Sequence, residues 1–272
     1  MGSSISGMGS WTSEDSYYDH VPDVEDVYEV RRLLLRWVPA ELAVKITDDA
    51  EYWPCSTFSA EIDARSFCIT QQTGPTCCAL TPKLGEWINV RGSGLFKIRR
   101  VNFRIASHDQ GWGGESNLPS EYLGSYTWFE AAIVRDFKAN AGVPFVKETL
   151  KFRGKDRALL SNEDEETKTY SNEFGQLTTV KNPNGTDKDV WHIQRNVRAS
   201  ASEKVHEIFW TDEEPEEGVN ELEVIDSTGA GVGAGFVRSL KPSDRIAVIG
   251  RAQYDAWVNH VKAVDVEVFY SV

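Results

Sequence analysis

A period of two is the feature that most constrains this chain. Val101, Phe103 and Ile105 alternate with Arg100, Asn102 and Arg104, and much later Val264, Val266 and Val268 alternate with Asp265 and Glu267. Side chains two apart share one face of a strand, so each stretch predicts a strand with one buried and one polar face. Elsewhere, short apolar runs are broken by Thr73-Gly74-Pro75 and Thr81-Pro82, the punctuation of strands and turns, and long helical periodicity is convincing nowhere. An all-β protein is expected, and 272 residues are enough to bury a core.

The two alternations belong to a matched pair of strand-loop-strand units, residues 98–134 and 245–270. Residues 99–112 read RRVNFRIASHDQGW and residues 245–257 read RIAVIGRAQYDAW. In both, a strand enters a loop where His or an aromatic precedes Asp, Trp follows, and a return strand comes next. This makes them a candidate internal repeat, with chance similarity between two β units left open. The organisation read from the sequence is a flexible acidic and Gly/Ser leader over 1–26, a first β unit over 27–137, a polar insertion or connection over 138–188, and a second β unit over 189–272 packed with the first. Structure is expected to begin near Tyr28, and residues 30–38, where Leu33, Leu34, Leu35 and Trp37 mix with three arginines, allow either a short helix or a buried strand, of which the strand is favoured. Residues 169–180 are read as a hairpin. Trp191, Ile193 and Val197 are expected on one face of a strand, with His192, Gln194, Asn196 and Arg198 on the other. That strand and residues 205–210 are expected to form a hairpin through Ser200-Ala201-Ser202.

Charge narrows the partners. Forty-two acidic against 29 basic residues leave a formal charge of −13, the wrong sign for a nucleic-acid partner, whose affinity comes from clustered Lys and Arg. No segment approaches the roughly 20 apolar residues of a membrane helix. The four cysteines, Cys55, Cys68, Cys77 and Cys78, show no C-x-x-C spacing, and no apolar leader precedes them, so reduced thiols and a cytoplasmic location are expected. Met1-Gly2-Ser3-Ser4-Ile5-Ser6 fits the short N-myristoylation pattern, which stays open beside a disordered leader. Asn184-Gly185-Thr186 is read as a turn. The acidic runs 163–166 and 212–217 lack the alternating ligands of a calcium loop and are read as solvated, with no metal expected.

Chemistry is harder to place. Gly229-Ala230-Gly231-Val232-Gly233-Ala234 has dinucleotide-fingerprint spacing, but too little chain precedes Pro242 for the helix that would hold a pyrophosphate. It is read as a flexible loop, and no cofactor is expected. H-E-x-x-H, G-x-S-x-G and P-loop motifs are lacking. Cys77 or Cys78 with one of the five histidines is a possible nucleophile, but none is singled out. The strongest constellation is the loop His108, Asp109, Gln110 and Trp112, which combines donors, acceptors and a stacking indole, as recognition of a sugar or another polar ring requires. Trp128 joins it from the return strand. Tyr254, Asp255 and Trp257 repeat the style in the second unit, and His192 and Gln194 form one wall of a polar groove if their face is not merely solvated.

Ser107-His108-Asp109-Gln110-Gly111-Trp112, the strand Gly124-Ser125-Tyr126-Thr127-Trp128-Phe129 and the ending from Arg251-Ala252-Gln253-Tyr254 to Val266-Glu267-Val268 resemble a group of largely uncharacterised fungal proteins. More distantly, the ending resembles the last hairpin of galactose-binding-like β-sandwiches, including the sugar-reading domain attached to some F-box proteins. That resemblance implies a jelly-roll, galactose-binding-like β-sandwich with ligand recognition at its loop end. The expectation for function is a lectin-like protein binding a glycan or small polar ligand. A protein-interaction or self-assembling homo-oligomer and an enzyme with a pocket between the two units remain the alternatives.

Overall fold

The structure is a computed structural model that describes residues 21–60, 68–88, 96–142, 158–161, 166–185, 188–216 and 218–272. The proposed myristoylation pattern, most of the first acidic run and Thr186 of the sequon lie outside these residues. By its contacts the chain divides into two compact parts, Met1–Pro54 and Cys55–Val272.

The first part contains two helices, α1 (Val24–Leu34) and α2 (Ala40–Asp49). This corrects the strand expected at residues 30–38, the start expected near Tyr28 and the expectation of no helical periodicity. The helical signal lies upstream of the Leu-rich run. Asp23 and Asp26 form a reciprocal capping box, each carboxylate accepting the other's backbone N–H at 2.8 and 3.0 Å. Acidic Glu25 and Asp26 in the first turn and basic Arg31 and Arg32 in the last complement the helix dipole. Arg31 Nε donates to Thr47 Oγ1 at 3.0 Å, joining α1 to α2, while Val27, Ala43 and Thr47 are buried.

The second part is an all-β sandwich of two antiparallel sheets. One has the order β1 (Cys55–Ala60), β12 (Val258–Ser271), β4 (Lys97–His108), β10 (Lys204–Thr211), with β2 (Cys68–Thr70) also paired to β12. The other has the order β3 (Thr76–Leu80), β11 (Arg245–Ala252), β5 (Thr127–Ala139), β8 (Gly175–Val180), β7 (Thr167–Asn172), β6 (Ala158–Ser161), with β9 (Trp191–Arg195) also paired to β5. The alternating residues behave as their spacing demands: Val101, Phe103, Ile105, Val264, Val266 and Val268 are all fully buried. Each such side chain contributes roughly 1.5–3 kcal/mol relative to remaining exposed. Central β11 is buried without alternation from Ile246 to Ile249, because both of its faces are covered.

Both expected units cross from one sheet to the other, in opposite senses: β4 leads to β5, and β11 leads to β12. Since β4 pairs with β12 and β11 with β5, exchanging the two units maps one pairing onto the other. The divisions 27–137 and 189–272 therefore contribute strands to both sheets. Within 138–188, β7 and β8 form the hairpin. The hairpin expected between residues 191–197 and 205–210 does not form. β9 pairs with β5 in one sheet and β10 with β4 in the other, so their connection bridges the sandwich.

The glycine-rich run closes the aromatic end of the core. With the one-turn α3 (Leu84–Trp87) standing between β3 and β4, helix α4 (Glu221–Thr228), on the apolar run before the glycines, ends at Gly229 in a left-handed C-cap. The indole N–H groups of Trp210 and Trp191 then donate to the carbonyls of Gly231 and Ala234, both at 2.9 Å. Phe236, opening the one-turn α5 (Phe236–Ser239), packs edge-on to Trp191, Trp210 and Phe103 with centroids 4.9–6.0 Å apart. At Gly233, with φ of 64°, a Cβ would stand 2.1 Å from the Trp210 ring. The run is a packed cover for two indoles, which corrects the flexible loop expected there, and its glycines serve close approach within the protein.

Candidate functional site

A groove of about 630 Å³ opens where the loop over residues 109–126 and the loop between β11 and β12 meet the start of β5. That size lies within the roughly 300–1,000 Å³ of small-molecule sites. Trp128 of β5, Tyr126 just before it and Trp257 of the second loop supply aromatic lining. Tyr126 stands edge-on to Trp257 at 5.0 Å and to Tyr254 at 4.7 Å. Glu115, His192, Arg195, Asp226 and Gln253 supply the polar lining. Arg195 Nη1 donates to Asp226 Oδ1 at 2.7 Å, so the cation and the carboxylate are presented as a pair. Both expected β units contribute to the groove.

The polar side of the groove depends on a bulge. Trp128 pairs with Arg195 and Phe129 with Gln194, but Glu130 pairs with His192, a one-residue shift. Residues directly opposite share a face, so His192 and Arg195 lie with Glu130 and Trp128, while Gln194 turns inward with Phe129. The expected stripe His192, Gln194, Asn196 and Arg198 is thereby broken, because a one-residue slip inverts facing. Gln194 is buried, donating to the carbonyls of Arg195 and Thr228 at 2.9 and 3.3 Å. Asn196 is fully buried in a network: its amide accepts from Ser107 Oγ at 2.6 Å and donates to Thr127 Oγ1 and Asn259 Oδ1 at 2.9 and 3.0 Å. Asn259 in turn donates to the carbonyls of Trp128 and Arg251, both at 3.2 Å, tying the two sheets together beside the groove. Arg198 donates to the carbonyls of Ser120 and Leu123 and holds the 109–126 loop in place. His192 Nε2 donates to the Gly229 carbonyl at 3.0 Å, and burial pushes its pKa down to about 4, keeping the ring neutral.

The remaining expected site residues are distributed unevenly. Trp128, His192 and Trp257 line the groove, and Tyr254 touches its aromatic wall. Asp109 is fully buried, accepting from the backbone N–H groups of Gln110 and Ala199, and burial raises its pKa to about 6. Gln110 is a strut, donating to the Trp112 carbonyl at 2.6 Å and accepting from Val258 N at 3.2 Å. His108 stacks on His260 with centroids 4.5 Å apart. Trp112 is 61% exposed and, like exposed Asp255, does not line the groove. The His-Asp-Gln loop is thus scaffold for a site formed beside it. Arg195, Asp226, Glu115 and Gln253 escaped the sequence reading. Arg195 is displaced by the bulge, and Asp226 reaches the groove from α4, so neither has a local signal.

Two non-glycine residues in the loop carrying Trp257 hold left-handed backbone, Tyr254 and Ala256, both with φ of 72°. Such conformations cost about 1–3 kcal/mol each and persist where surroundings impose them, often at ligand sites. Among the described residues, no three His, Cys, Asp or Glu side chains converge to hold a metal ion, and no helix is long and apolar enough to cross a membrane.

Fold and site together define a class: an all-β sandwich with an aromatic-lined polar groove built by two cross-sheet loops. No protein-family model matches the chain, and no curated protein matches its sequence.

Proposed function

We infer that the groove binds a small polar ligand bearing a ring, with carbohydrate the class that fits best, so that the protein acts as a lectin. The observation that carries this reading is the shared lining: Trp128, Tyr126 and Trp257 beside the Arg195–Asp226 pair, His192 and Gln253 in about 630 Å³. Aromatic side chains cover the apolar face of a sugar ring, and paired donors and acceptors match its hydroxyls. The strained Tyr254–Ala256 loop supports the reading, since it holds Trp257 in place before any ligand arrives. On this reading the sandwich is of the galactose-binding-like kind.

Glycan-array screening followed by calorimetry on the purified protein tests the proposal. Trp257→Ala is expected to weaken binding about thirty-fold, the effect of losing roughly 2 kcal/mol at an aromatic anchor. Trp112→Ala, outside the groove, should bind normally. No binding across a broad sugar set, or equal loss in both variants, would overturn the reading.

A further inference from the structure

A second constellation lies at the pairing of β2, β12 and β4, and none of its members lines the groove. Cys68 Sγ is 3.2 Å from His260 Nδ1. His260 stands opposite His108 in the β12–β4 register, and the two imidazoles stack with their planes 11° apart. His108 is itself fixed, its Nδ1 donating to the Asp109 carbonyl at 2.7 Å, and the Asp109 carboxylate is held by two backbone N–H groups. A nucleophile within hydrogen-bond reach of a base, with the base oriented by a third group, is the arrangement of an activated thiol. Cys77 and Cys78 are buried, and half-buried Cys55 has its pKa pushed up to about 11, chiefly by burial. Cys68 alone of the four is exposed.

We propose that Cys68 and His260 form a thiol–imidazole pair that a hydroperoxide oxidises, making Cys68 a redox modification site. His260 Nδ1 accepts the thiol proton, and the sulfur attacks one peroxide oxygen. The O–O bond breaks as the S–O bond forms, and the proton passes from the imidazole to the departing oxygen. The products are Cys68 sulfenic acid and an alcohol, or water when the oxidant is hydrogen peroxide; sulfur loses two electrons and the peroxide gains them. His108 is a positioning residue, holding the His260 ring by stacking.

The test treats the full-length protein with limiting hydrogen peroxide in the presence of dimedone, which traps sulfenic acids, and locates the adduct by mass spectrometry. The adduct is expected at Cys68 before any other cysteine and absent in Cys68→Ser. A peptide of residues 66–71 is the reference, and Cys68 in the folded protein is expected to react at least about ten-fold faster. His260→Gln is expected to remove that advantage while circular dichroism stays unchanged. Reaction at the peptide's rate, or a His260→Gln variant that folds and reacts as fast as the parent, would overturn the proposal. The peptide comparison decides the question even if the variant fails to fold.

Discussion

At the scale of single residues, burial sets the protonation states. His206 of β10 is 5% exposed, its Nε2 is buried with no hydrogen-bond partner among the described residues, and burial pushes its pKa down to about 4, with Lys204 adding to the shift. His192 is depressed to the same value. A histidine depressed in the folded state gains its proton more readily when unfolded, so its contribution is complete above pH 6.5 and is lost as pH falls toward 4. Asp109, raised to about 6, acts in the opposite sense: the folded state binds its proton more readily, which stabilises as pH falls from 6 toward 3.8. Two histidines oppose one carboxylate, so melting temperature is expected to fall between pH 7 and 4.5. His206→Leu should flatten that dependence in thermal melts, and an unchanged slope would show that His206 does not carry it. Of the residues near the groove, Trp128, His192 and Trp257 were legible as candidates from their chemistry. The burial of Asp109 and Asn196 was not, because a polar side chain in a sequence looks the same whether water or another side chain satisfies it.

At the scale of elements, one ion pair secures the turn into β11. Asp244 is fully buried and receives a two-pronged contact from Arg135 of β5, Nε to Oδ1 and Nη2 to Oδ2, both at 3.1 Å, together with Lys241 N at 2.8 Å. The same Arg135 Nη2 also donates to the Ser239 carbonyl at the end of α5. Asp244→Ala leaves the mostly buried Arg135 guanidinium with the exposed Glu166 carboxylate, 3.6 Å away, as its remaining counter-charge and is expected to cost about 3 kcal/mol in urea denaturation. A loss below about 1 kcal/mol would mean that solvent screens the pair as it does a surface pair. Strands β4 and β12 were legible from alternation, since one face of each is buried and the other is not. Helix α1 was misread because its information lies in the Asp23–Asp26 box, outside the Leu-rich window. The β9 bulge had no signature at all, since an extra residue in a ladder is defined by the partner strand.

At the scale of the whole molecule, both sheets and every groove-lining residue fall within Cys55–Val272. A chain beginning at Cys55 is therefore expected to unfold in one cooperative transition, within about 4 °C of the full protein, the shift of roughly 1 kcal/mol at this size. The ligand binding proposed for the groove should be unchanged in that shorter chain. Loss of the transition would show that residues 1–54 complete the sandwich core.

The sequence by itself determined that most of this chain is built from strands, where its longest strands run, and that aromatic residues stand at two similar loops. These follow from periodicity and turn chemistry, which act between neighbours in the chain. Only the tertiary structure decided that β9 and β10 part into different sheets, that His192 and Arg195 share a face, and that Cys68 meets His260. Those outcomes rest on contacts between residues far apart in sequence, and nothing in the order of neighbours encodes which distant strand will cover them.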